Sequence, residues 1–262
     1  MKSFETLDAL DDTTRAAVVD LLLRMADDAL IIGHRDSQWT GLAPILEEDI
    51  AFSSMAQDEM GHAHVYYQML EQLGQGDPDT LVFVRSVRQW RCAALTYVPN
   101  GDDWALSLVR KFLYDTADAV RLGALILGTL KPLSSVAVKL RTEKKYHLMH
   151  DRAWMVRLGR ATPESAARMQ RAVDFIYPYA RGLFEPTEAD AALERAGICP
   201  SERQLEREWA SAIAPVLSES GLHVHENVTP VYGARLGRHG QDLKALLDDL
   251  QKVHRLDPAA KW

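Results

Sequence analysis

Asp58-Glu59-Met60-Gly61-His62-Ala63-His64 is the stretch on which the fold turns. Glu59 and His62 are separated by three positions. On a helix that spacing puts both side chains on one face, one turn apart. A carboxylate and an imidazole so placed can share a metal ion, and the carboxylate can bridge to a second. Glu-x-x-His also arises by chance in helices that bind nothing, so its weight depends on what stands around it.

Working outward, the periodicity is helical nearly throughout. Thr13 or Thr14 can cap a first helix that runs to about Trp39. Its apolar positions are Val18, Leu21, Leu22, Met25, Leu30 and Ile31. A second helix is expected from near Pro44 to Leu73, with Glu47, Glu48 and Asp49 complementing its positive end. Its core stripe takes in Ile45, Ile50, Phe52, Met55, Val65, Tyr66 and Met69. A turn is expected over 74–79, then a short helix and an extended link to Pro99-Asn100-Gly101-Asp102. Long third and fourth helices follow over about 103–130 and 133–159, with Lys131-Pro132 stopping the third. Shorter helices are expected at 163–184, 188–196, 202–217 and 243–254, and an ordered loop over 219–240.

Two long hairpins joined by a crossover of about 30 residues make a ferritin-like four-helix bundle. The expected fold is all-α and a single domain. Its core bundle covers about 10–160, and additional C-terminal helices cover about 161–262.

In that frame the acids and histidines align. A di-iron bundle site takes one acid from each of two helices and Glu-x-x-His from each of the other two. Asp28 lies in an apolar stretch of helix one, 31 residues before Glu59. Asp115 and Asp118 sit among Phe112, Leu113, Ala117 and Val120 in helix three, and Asp115 precedes Glu143 by 28 residues. Helix four carries Glu143-Lys144-Lys145-Tyr146-His147-Leu148-Met149-His150. Here the histidine falls four after the glutamate, so the bite differs from the usual one. The candidate metal residues are Asp28, Glu59, His62, Asp115, Glu143 and His147. Buried carboxylates are costly unless paired or coordinated. Either a metal or a polar hydrogen-bonded network satisfies that demand, and the residues leave both open.

The remaining features bound the function. The net charge of -7 and the lack of a basic stripe argue against nucleic acid as a partner. No apolar run approaches the ~20 residues of a membrane span, and Met1 to Glu5 carries no secretory leader. Cys92 and Cys199 share no metal-binding spacing and fit reduced thiols, so cytoplasm is the default location. Arg85, Arg88 and Arg91 around Trp90 are simplest as a solvated face and the His223-x-His225 pair as a solvated or interface pair, and the Gly233–Gly240 loop carries Arg235 and Arg238 without phosphate-loop spacing. No phosphate-loop or nucleophile-triad pattern is present.

Longer matches run in order along nearly the whole chain. They are Ala26-Asp27-Asp28-Ala29-Leu30-Ile31, Met55 to Ala63, Asp77-Pro78-Asp79-Thr80-Leu81, Val98-Pro99-Asn100-Gly101, Phe112-Leu113-Tyr114-Asp115, Lys145-Tyr146-His147-Leu148 and the closing Trp262. Through them the chain resembles the C-subunit family of the multicomponent ring 1,2-phenylacetyl-CoA epoxidases. The resemblance implies a ferritin-like structural subunit without its own cofactor. Its partner would be the catalytic A subunit, which holds the di-iron centre. Phenylacetyl-CoA would bind near the subunit interface, and a reductase subunit would belong to the wider complex. Two departures stand out. Structural members of that family lack the Glu-x-x-His residues, whereas Glu59 and His62 are present here. The segment Gly237 to Leu243 is poorer in His and Thr than the family's. The alternative expectation is therefore a di-iron oxygenase in its own right, with iron on the six named residues.

Overall fold

The computed structural model describes residues 3–101, 103–225 and 227–258. Asp102 of the expected turn and the closing Trp262 lie outside the described residues. Four long helices carry the architecture: α1 (Asp12–Ser37), α2 (Leu46–Gln72), α5 (Trp104–Ile126) and α6 (Lys131–Ala161). Between α2 and α5 lie two short helices, α3 (Pro78–Phe83) and α4 (Ala94–Tyr97). The chain continues through α7 (Pro163–Arg181), α8 (Asp190–Ala196), α9 (Glu202–Ser220), α10 (Gln241–Leu250) and α11 (Lys252–Leu256). No strand occurs among the described residues, and Phe4 and Leu130 form one isolated β-bridge. The all-α, ferritin-like reading holds.

Local chemistry sets the helix ends, and several differ from the sequence expectation. Asp11, not Thr13 or Thr14, caps α1, accepting from the Thr14 N–H at 2.9 Å. Helix α2 starts at Leu46, two residues beyond Pro44, with Glu47, Glu48 and Asp49 in its first turn. Ile45 and Ile50, expected in the core stripe, are exposed, the latter by 63%. Ile45 is the extended N-cap residue ahead of the helix, and Ile50 turns away from the face that carries Phe52, Met55, Glu59 and Tyr66. Asp77 caps α3 and Pro78 opens it, so part of the expected turn is a helix start. Helix α5 ends at Ile126, and Lys131-Pro132 begins α6 rather than stopping α5. Thr162 and Ser165 form a reciprocal capping box at α7.

The long helices pack as the pairs α1 with α2 and α5 with α6. Gly33 lets α1 close on α2, because a Cβ there would stand 3.0 Å from both the Ala56 carbonyl and the Glu59 Cβ. That approach fixes the depth of Glu59. Helices α7 and α9 pack across α5 and α6. The buried Trp209 of α9 donates its indole N–H to the Leu113 carbonyl at 3.0 Å. Glu202 at the start of α9 accepts from Arg121 at 2.7 Å through both oxygens and from Arg24 at 3.0 Å. One continuous apolar cluster runs from Phe4 through the long helices to Leu222. Residues 222–240 are irregular apart from a 3-10 turn at Ala234–Leu236, matching the expected ordered loop among the described residues. No described helix is long and apolar enough to cross a membrane.

Candidate functional site

The faces that α2, α5 and α6 turn inward are polar at mid-height. Helix α2 contributes Glu59 and His62, α5 contributes Lys111, Asp115 and Asp118, and α6 contributes Lys144 and His147. Asp36 joins from α1. All are buried except Asp118, whose side chain is 13% exposed.

At the centre lies the Lys144 ammonium. It donates to Glu59 Oε1 and to Asp115 Oδ1, the latter at 2.7 Å, and it pairs with Asp118 Oδ2 at 3.2 Å. It also lies 4.8 Å from the centre of the Tyr114 ring. A second ammonium, Lys111, pairs with Asp115 Oδ2 at 3.0 Å and Asp36 Oδ2 at 3.4 Å.

The two histidines are held alike. His62 Nε2 stands 2.7 Å from Glu143 Oε2, and His147 Nε2 stands 3.1 Å from Asp58 Oδ2. In each ring the other nitrogen faces the cluster. His62 Nδ1 is 3.7 Å from Glu59 Oε2, and His147 Nδ1 is 3.4 Å from Glu59 Oε1 and 3.5 Å from Asp115 Oδ2.

Of the six residues singled out in the sequence, Glu59, His62, Asp115 and His147 come together. Glu143 sits at the rim with its side chain 38% exposed. The reason is rotation: adjacent helix positions differ by ~100°. Leu140, Lys144, His147 and Asp151 form the buried face of α6, and position 143 is carried off it. Asp28 is not in the cluster. Arg235 holds it through two bonds of 2.9 and 2.7 Å, and the Ala93 N–H adds a third at 2.7 Å.

The sequence reading missed Lys111, Lys144, Asp36 and the outer carboxylate Asp58. A signal was present for the lysines. Lys111 lies four before Asp115, and Lys144 shares the buried period with Leu140, His147 and Asp151.

Electrostatics follow from this packing. Burial raises the Glu59 carboxyl, but Lys144 and His147 outweigh it and hold it down to about 2. Burial likewise opposes ionisation of Asp115, yet Lys111, Lys144 and His147 keep it well below the ordinary carboxylate range. The Lys144 ammonium is penalised by burial and rescued by Asp115, Glu59 and Asp118, which push it well above the usual lysine value. Burial and Lys111 depress His147, but Asp115 and Glu59 carry it up to about 9. The cluster is thus a buried set of carboxylates neutralised from within by ammonium and imidazolium.

Fold and site together define a ferritin-like helical protein whose mid-bundle acids surround lysine cations. The chain belongs to the family described as phenylacetic acid catabolic protein, whose model matches residues 1–262. Among curated proteins it is similar to the C subunit of the 1,2-phenylacetyl-CoA epoxidase of Escherichia coli (strain K12). That relative is 31% identical over 241 residues, covering 92% of this chain and 97% of the relative.

The fold class is associated with a carboxylate-bridged pair of iron ions. Ligand atoms of Glu59, Asp115 and His147 lie within 4.8 Å of one another, as do those of Glu59, His62 and Asp118. The ligand types therefore suit a divalent ion. The cation balance does not suit two of them, because Lys144 bonds Glu59, Asp115 and Asp118, and so reaches both groups. A divalent ion ~3 Å from that ammonium would be repelled by on the order of 10 kcal/mol even at an effective dielectric near 20. With Lys144 charged and seated, the residues present do not fit a di-iron group.

Proposed function

We propose that the chain is a structural, non-catalytic subunit of a multicomponent phenylacetyl-CoA 1,2-epoxidase, the ring monooxygenase of phenylacetate catabolism. It pairs with a catalytic subunit that carries the di-iron centre. The observation that carries this reading is the Lys144 ammonium, bonded to the carboxylates of Glu59 and Asp115. An oxygen-activating bundle needs open metal positions there. This bundle fills them with its own side chains, and its stability does not depend on loading. The family membership and the C-subunit relative support the assignment to the epoxidase. The whole chain acts as one unit in this reading. An acyl-CoA is too long for the closed interior, so it meets this subunit at the interface with its partner.

The test is co-expression with the catalytic subunit of the same epoxidase. The pair should co-purify, and oxygenation of phenylacetyl-CoA should need both chains. It should survive His62→Ala in this chain, provided that the variant folds. Full activity of the catalytic subunit alone, or loss of turnover in a folded His62→Ala pair, would overturn the proposal. The latter result would favour the reading in which this chain is itself a di-iron oxygenase.

A further inference from the structure

We propose that Lys144 locks a latent divalent-cation site: without its ammonium, Glu59, Asp115, Asp118, His62 and His147 bind a metal ion. This rests on the reading above, in which the wild-type chain works without metal.

Three observations carry it. First, the two groups of ligand atoms share Glu59, and each brings a histidine and an aspartate. Second, two buried atoms in those groups, Glu59 Oε2 and His62 Nδ1, make no hydrogen bond. Buried polar atoms in folded proteins rarely lack one. His62 Nδ1 faces Glu59 Oε2 at 3.7 Å, and His147 Nδ1 faces Glu59 Oε1 at 3.4 Å and Asp115 Oδ2 at 3.5 Å, so both nitrogens point at the shared carboxylates. Third, each imidazole is already oriented from behind. Glu143 holds His62 Nε2 and Asp58 holds His147 Nε2. A carboxylate on the far nitrogen is how proteins aim a metal-binding histidine. The rim position of Glu143 thus gains a role that its spacing alone did not suggest.

Removing the ammonium withdraws one positive charge from buried carboxylates that need a counter-charge. It also vacates the space around Glu59. An ion entering there meets mixed nitrogen and oxygen ligands. That set suits Co²⁺, Zn²⁺ or Fe²⁺, and not Ca²⁺, which prefers oxygen alone. Lys111 remains on Asp115 Oδ2 and Asp36, so Asp115 offers the ion its Oδ1, the oxygen that Lys144 vacates.

The experiment uses the full chain as wild type, Lys144→Met and Glu59→Gln/Lys144→Met, each incubated with Co²⁺ and then freed of excess by gel filtration. Lys144→Met should retain about one cobalt per chain with the visible absorption of bound cobalt. Its melting temperature should rise with Co²⁺. Wild type and the double variant should retain none. Folded Lys144→Met without cobalt, or equal uptake by the double variant, overturns the inference and leaves the structural-subunit reading intact. Stoichiometric cobalt on the wild type overturns the lock and that reading together. If Lys144→Met folds only with Co²⁺ present, the site is supported. If it does not fold at all, Lys144→Gln replaces it and the same uptake decides.

Discussion

Lys144 does at residue scale what a metal does in a loaded bundle. Its ammonium is fully buried, and without it Glu59 would lose its ammonium partner and Asp115 one of its two. Breaking a buried ion pair from one side costs about 3–5 kcal/mol. Lys144→Ala, without added metal, should lose that much in denaturant unfolding; a loss below about 1 kcal/mol would refute the pairing. His147 makes a pH prediction. Its folded value of about 9 lies above the ordinary 6.5, so the folded state holds the extra proton. The stability it contributes is full below 6.5 and disappears as pH rises through about 9. NMR titration should find this imidazole protonated at neutral pH, and a neutral ring there would contradict the charge assignment. For Glu59 the sign is opposite. Its folded value of about 2 lies below the ordinary 4.5, so its contribution is present above 4.5 and is lost as pH falls toward 2. The ligand types of this cluster were legible in the sequence because Glu59 and His62 obey helical spacing. Its cations were less so. Lysine is normally a surface residue, and although Lys144 falls on the helical period of Leu140, His147 and Asp151, that period alone does not announce a buried lysine. Asp28 misled for a related reason. Its apolar neighbours signalled burial correctly, but its partner Arg235 lies 207 residues away.

At the scale of elements, periodicity placed the four long helices, and errors gathered at their ends. The Lys131-Pro132 reading failed because proline suits a first turn as well as it ends a helix. Ile45 failed because it precedes the helix, and Ile50 because hydrophobicity does not say which face an apolar residue occupies. Two glycines separate the demands of packing from those of helix propensity. At Gly159 a Cβ would come within 2.3 Å of the Ser220 carbonyl, so α6 and α9 could not close. At Gly61 nothing stands within 4 Å. Gly61→Ala should therefore stabilise by about 0.5–1 kcal/mol, as expected at an exposed helix interior. Gly159→Ala should destabilise by about 1–3 kcal/mol. Thermal melts of both variants check this, and a stabilised Gly159→Ala would refute the close approach.

For the whole molecule, the C-terminal third is tied to the bundle by buried charge. Glu202 gathers Arg24 and Arg121, and Arg235 carries the 234–236 turn onto Asp28. The same chain leaves Leu46 and Ile50 of α2 and Tyr146 and Met149 of α6 well exposed. A contiguous apolar patch in water marks a surface that meets something else, whereas single exposed apolar side chains are ordinary. Ile50→Lys and Met149→Lys should weaken co-purification with the catalytic subunit at least tenfold while each changes stability by less than about 0.5 kcal/mol. Undiminished pairing would place the interface elsewhere. Neutralisation of the bundle by its own lysines is tested most directly by elemental analysis of the wild-type chain, purified alone from iron-replete cells. No stoichiometric iron is expected, with the protein folded and soluble. About two irons per chain, the loading of a di-iron bundle, would contradict that neutralisation and put the di-iron oxygenase reading first.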